Sequence, residues 1–78
     1  MSEMARLKWK CRRGMKELDL LLERYLDTRY PGADAAEQSA FRELLDMQDL
    51  VLFAFVVGRE RPNTEELCRV VEALRRAS

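Results

Sequence analysis

The sequence predicts an all-α fold, a small single-domain five-helix bundle. Three observations predict it. Apolar residues recur three, four and seven positions apart along most of the chain, the spacing of one helix face. The three glycines and two prolines fall between these periodic stretches and not inside them. The one β-prone run, from Leu50 to Val57, has no second strand-like run to satisfy its backbone groups, so it reads as a helix.

In the first segment Met4, Leu7 and Cys11 stand at i, i+3 and i+7, and Ala5 and Trp9 add a second apolar edge. Gly14 is placed to close this helix, because glycine takes the left-handed conformation found at helix C-termini. The second segment carries a full core stripe: Leu18, Leu21, Leu22, Tyr25 and Leu26. Pro31 and Gly32 stop it. Asp34 then serves as an N-cap, with Glu37 three residues on completing a capping box, and Ala36, Ala40, Phe41, Leu44 and Leu45 form the buried side of the third helix. The run Leu-Val-Leu-Phe-Ala-Phe-Val-Val reads as a short, nearly all-buried fourth helix capped by Asp49. Gly58 and Pro62 bracket the next loop. Asn63 with Glu66 opens the last helix, whose stripe is Leu67, Val70, Val71 and Leu74, and Arg75 and Arg76 suit its C-terminal end.

A chain of 78 residues buries a modest share of its surface, which leaves room for one layer of helices around one core and none for a deep substrate cavity. Net charge is zero, but it is unevenly spread. Residues 1–16 carry +5, residues 17–49 carry −6 and residues 50–78 carry +1. A basic end beside an acidic middle either docks on an acidic or anionic partner or stays in water. With no histidine in the chain, Ser-His-Asp and Cys-His catalysis and imidazole-bound zinc are excluded. Cys11 and Cys68 are too few for a disulfide framework and read as reduced thiols. There is no secretory or transit-peptide pattern, and the longest apolar run is about half a membrane span. These features indicate a cytoplasmic protein that is not an enzyme and does not insert into a membrane.

The densest local pattern is Cys11-Arg12-Arg13-Gly14-Met15-Lys16-Glu17-Leu18-Asp19. On spacing alone, Gly14 is a helix C-cap and Arg13 with Glu17 a local ion pair worth about 0.3–0.5 kcal/mol. Trp9 just ahead fits a core or an interface equally well, since tryptophan is enriched in both.

The stretch Trp-x-Cys-Arg-Arg-Gly-Met-Lys-Glu-Leu-Asp from Trp9 to Asp19 resembles the Arg-Gly-x-x-Glu signature of the flavinylation factors of succinate dehydrogenase, the SdhE family, also called succinate dehydrogenase assembly factor 2. Phe41 with Leu44 and Leu45 resembles that family's third helix, and Asp49-x-x-Leu52-Phe53-x-Phe55 its Asp-Pro-x-Leu-x-x-Trp stretch. Leu50 stands where the family usually has proline, and Phe55 where tryptophan is common. The resemblance implies a single SdhE-like helical domain over residues 1–78, with no catalytic residues of its own. It implies binding to the flavoprotein subunit of succinate dehydrogenase, with that of fumarate reductase as a second candidate. It also implies promotion of covalent FAD attachment to a histidine of that subunit. FAD then belongs to the partner, and this chain, a monomer, binds no cofactor stably and no metal. The partner-binding residues implied are Trp9, Arg12, Arg13, Gly14, Met15, Lys16 and Glu17. Gly14 would let the partner's backbone approach closely, Arg13 would offer its planar fork to a carboxylate or carbonyl, and Glu17 would orient Arg13 or accept from the partner.

Two rival classes remain on the residues alone. A nucleic-acid binder would use the basic N-terminus, although the balanced charge and unremarkable pI oppose it. An antitoxin-like interaction module would display an exposed apolar stripe on the fourth or fifth helix.

Overall fold

Five α-helices form close to where the apolar periodicity places them: α1 (Glu3–Lys10), α2 (Lys16–Thr28), α3 (Ala35–Leu45), α4 (Asp49–Val57) and α5 (Glu65–Arg76), with a 3₁₀ turn over Tyr30–Gly32 after α2. This computed structural model describes residues 2–76; Met1, Ala77 and Ser78 of the expected 1–78 domain lie outside the described residues. No strand occurs among the described residues, so the Leu50–Val57 run is helical as expected.

The helices share one core. α3 packs on α5, α2 packs on α5 and on the 3₁₀ turn, α1 rests on α2 and α3, and α4 lies on α5. Leu22 and Leu26 of α2, Phe41 and Leu44 of α3, Leu52 of α4, and Val70 and Leu74 of α5 are sealed from water. Each such leucine or phenylalanine contributes about 1.5–3 kcal/mol. Tyr25 and Tyr30 flank the Phe41 ring, with centroids 4.5 and 5.5 Å away.

The helix ends follow local chemistry, with several departures from the sequence expectation. The Ser2 hydroxyl accepts from the Ala5 N–H (3.2 Å), and Asp34 caps α3 as expected by accepting from the Glu37 N–H (2.8 Å). Glu37 does not close a capping box. Its carboxylate turns inward, accepting the Tyr25 hydroxyl at 2.6 Å and Arg29 Nε at 2.8 Å, because a buried phenol needs a partner more than an exposed helix end does. Ala36 lies on the exposed side of α3. Thr64, not Asn63, caps α5 by accepting from the Leu67 N–H (3.2 Å). Gln48 occupies the N-cap position of α4, and Asp49 is its first helical residue.

The largest departure concerns α4. Instead of being nearly all buried, it encloses only Leu52 completely and leaves Leu50, Val51 and Val57 exposed. The helix is ended by Gly58 at φ +85° and by Arg75 of α5, which donates to the Phe55 and Val56 carbonyls (2.8 and 2.9 Å). Arg75 therefore serves the C-terminus of α4 as well as its own helix.

The uneven charge resolves into internal pairs. Lys8 meets Asp27 at 3.5 Å, Lys10 meets Asp46 at 3.0 Å, Arg13 meets Asp49 at 3.1 Å and Arg42 meets Glu3 at 3.7 Å. Much of the basic end is thus neutralised by the acidic middle. Pairs on the surface are worth only about 0–1 kcal/mol each, so their main effect is to set which charges stay free.

The Arg29 guanidinium, followed by the Tyr25 hydroxyl, holds the Glu37 carboxyl below the usual carboxylate range. A lowered folded-state pKa stabilises the fold above the unfolded value, and that contribution is lost as pH falls through the folded one. Urea midpoints should accordingly fall as pH drops below about 4.3, the ordinary glutamate value. Glu37→Gln should flatten part of that fall. Glu37→Ala, which orphans the Tyr25 hydroxyl, should cost about 1–3 kcal/mol at neutral pH.

Candidate partner-docking site

The motif occupies the link between α1 and α2. α1 ends with Cys11 in helical geometry, its N–H bonded back to the Leu7 and Lys8 carbonyls, so Gly14 is not the helix C-cap that its position predicted. Gly14 lies three residues further on, at φ +80°, where the chain reverses into α2. No heavy atom would meet a Cβ there within 4 Å, so the glycine is required by the backbone conformation and not by crowding inside this chain.

An aspartate holds the reversal. Asp19, on the first turns of α2, accepts the Arg13 N–H at 2.9 Å and the Gly14 N–H at 3.1 Å with its two carboxylate oxygens. Met15, at the N-cap position, supplies no side-chain cap. The Asp19 carboxylate instead ties down the two loop N–H groups ahead of the helix, and from the first turns of α2 it complements the positive end of the helix dipole.

Arg13 does not pair with Glu17. Its guanidinium enters the molecule and its side chain is only 10% exposed. Nη1 donates to the Met47 carbonyl (2.6 Å) and to Asp49 Oδ1 (3.1 Å), Nη2 donates to the Leu45 carbonyl, and Nε to the Lys10 carbonyl (3.0 Å). Leu45 and Met47 lie at the C-terminal end of α3, where helix carbonyls lack partners, and a planar fork can serve several at once. The fork that was expected to meet a partner is thus committed inside the chain.

The other motif residues face outward. Trp9 is 69% exposed, which settles its setting as surface, and the Arg12 guanidinium carbon stands 5.9 Å from the centroid of its ring. Arg12, Gly14, Lys16 and Glu17 are exposed, whereas Met15 is partly buried against the core. Cys11 is wholly enclosed beneath this surface, and burial, followed by the nearby Glu23 charge, pushes its thiol up to about 12. Two open depressions of the surface, about 480 and 450 Å³, lie elsewhere, one between Gly58 and Arg75 and one around Tyr25, Arg29 and Arg76. Neither depression is lined by a motif residue, and the exposed motif residues form a surface that a macromolecule can cover.

Residues 5–78 match the family described as flavinator of succinate dehydrogenase. The chain belongs to that family. Among its relatives, the FAD assembly factor SdhE of Methylococcus capsulatus is 44% identical over 75 residues, spanning 96% of this chain and 90% of the relative. The protein of that name from Pseudomonas aeruginosa is 41% identical over 73 residues, 94% of this chain and 87% of the relative, and that from Coxiella burnetii is 34% identical over 73 residues, 94% and 89%. No solved structure matches the chain.

For a flavinator-family chain, the geometry separates two roles within one motif. Trp9, Arg12, Gly14, Lys16 and Glu17 form the accessible face, while Arg13 and Asp19 fix its shape from within. Asp19 stood in the motif, but its role was not legible there, since its partners are backbone groups that become available only once Gly14 turns the chain. Asp49 was read as a cap, and its pairing with Arg13 spans 36 residues of sequence.

Arg13→Ala should lower unfolding free energy by about 2–4 kcal/mol, because three carbonyls and Asp49 lose a charged donor. Arg13→Lys should recover only part of that loss, since an ammonium cannot reproduce the fork. Gly14→Ala should cost about 1–2 kcal/mol from the left-handed backbone alone. Glu17→Gln should change stability by less than about 0.5 kcal/mol. Chemical denaturation followed by circular dichroism checks all four.

Proposed function

We propose that this chain is an assembly factor that docks through its motif turn on the flavoprotein subunit of succinate dehydrogenase and promotes covalent attachment of FAD to a histidine of that subunit. The observation that carries the reading is the exposed turn from Arg12 to Glu17, locked by Arg13 and Asp19, in a chain matched from residue 5 to residue 78 by the flavinator family. A turn held from within by hydrogen bonds suits a helper that acts by positioning. Holding the partner's flavin site and acceptor histidine in register removes orientational freedom from the reaction without any acid or base from the helper.

In this reading the chain is not an enzyme. The sequence has no imidazole to act as a base, and the FAD and the reacting histidine both belong to the partner. Gly14 leaves room for the partner's backbone, Trp9 stacked with Arg12 supplies an aromatic anchor, and Lys16 and Glu17 give directional charge at the rim. The chain acts as a monomer in the cytoplasm, with the fumarate reductase flavoprotein as a second client. No helix among the described residues is long and apolar enough to cross a membrane. Nucleic-acid binding is not favoured, because Lys8, Lys10 and Arg13 are engaged with acids of the same chain.

Denaturing-gel flavin fluorescence of the succinate dehydrogenase flavoprotein, from cells with and without this chain, tests the reading, since denaturation removes FAD that is not covalently held. The signal should fall without the chain and return with wild type. Gly14→Arg should stay folded, since nothing crowds a Cβ there and the left-handed backbone costs only about 1–2 kcal/mol, yet fail to restore the signal. Gly14→Ala carries the same backbone strain without the bulk and should restore much of it. Full restoration by Gly14→Arg would remove the turn from the contact.

A further inference from the structure

α4 differs from the other helices in having no polar residue on its solvent side. Every residue after Asp49 and before Gly58 is apolar, yet only Leu52 is fully buried. Leu50, Ala54 and Val57 follow one another at i, i+4 and i+7 and share a face, with Val51 beside them. Leu50 is 77% exposed, Val51 43% and Val57 48%. A helix that is apolar all round belongs in an interior, and this chain covers only the inner side of α4, with α5. The uncovered side marks a surface that another molecule closes.

The size and place of the stripe indicate what covers it. Nine residues make a helix about 13 Å long. One face of it offers far less than the roughly 800 Å² per partner of a stable interface. The stripe is thus too small to hold two copies of the chain together alone and has to be part of a larger surface. The adjoining surface is the motif turn. Arg13 bonds the Met47 carbonyl at 2.6 Å and Asp49 Oδ1 at 3.1 Å, which ties the residue before Gly14 to the residue before Leu50.

From this continuity we infer that the outward face of α4, made by Leu50, Val51, Ala54 and Val57, is the apolar half of the same docking surface and is covered by the flavoprotein subunit that receives the motif turn. The inference rests on the function proposed above. The two halves divide the work. The turn contributes directional and charged contacts, and α4 contributes dry apolar area, in the core-and-rim arrangement of protein interfaces. The partner accordingly presents an apolar patch beside the polar one that meets Arg12, Lys16 and Glu17.

The test is the affinity of purified succinate dehydrogenase flavoprotein subunit for wild type and for the Leu50→Glu, Val57→Gln double variant. Both positions are exposed, and an acid in the first turn suits the helix dipole, so the thermal midpoint should be unchanged or raised. Val51→Glu, also in the first turn, is an independent second variant should the double one misfold. Binding should weaken about tenfold or more in the variants. Equal affinity overturns this inference and leaves the proposed function standing, since wild type still binds. Sedimentation that shows a wild-type dimer dissolved by the variants, with flavoprotein binding intact, assigns the face to a second copy and also overturns it. A wild-type chain that fails to bind the flavoprotein removes the proposed function, and this inference with it.

Discussion

The placement of one guanidinium governs much of this fold. Arg13 lies in the link between α1 and α2, yet its bonds run to the end of α1, the end of α3 and the start of α4. Helix termini leave carbonyls unpaired, and here the ends of two helices converge on one side chain that holds five donors in a fixed plane. A domain of this length has only a few kcal/mol of net stability, so a residue that closes several such ends carries a large share of it. The same bonds set the shape of the exposed turn, because its backbone is continuous with the buried arginine.

A second arginine completes the pattern. α4 encloses only Leu52 completely, and it is fixed at its beginning by Arg13 and at its end by Arg75, two residues far apart in sequence. Held at both ends through polar groups, the helix stays at the surface with its apolar side outward and does not sink into the core. Local apolar pattern and final burial disagree here, and such disagreements concentrate where a surface serves something other than the stability of its own chain.

The sequence was most legible where one helix turn decides the outcome. The stripes of α2 and α5 and the Asp34 cap follow from neighbours within four residues, and the helical state of the β-prone Leu50–Val57 run followed from the lack of any second strand-like run to pair with it. Legibility ended where the deciding partner is remote. Glu37 has two uses open to it at the start of α3, and the choice is made by the Tyr25 hydroxyl twelve residues earlier. Arg13 beside Glu17 looks like a local pair until the carbonyls of Leu45 and Met47 are brought beneath it. The exposure of Leu50 was equally hidden, because hydropathy describes a side chain and not whether the rest of the chain has enough surface to cover it. An apolar stripe on the fourth helix had been the expected mark of an antitoxin-like module. Adjoining the motif in a flavinator-family chain, it does not favour that class.

The enclosed Cys11 thiol gives the molecule a clock of its own. The thiolate is the reactive form of cysteine, and at neutral pH Cys11 is both protonated and shut away, whereas Cys68 is partly exposed with its Sγ 3.5 Å from the Pro62 carbonyl oxygen. The two sulfurs should therefore label on different timescales, Cys68 by encounter at the surface and Cys11 only when the core around the end of α1 opens. The slow rate then reports how often the chain opens around the motif, with no reporter group built into the protein. A partner that clamps the turn shut would stop that clock.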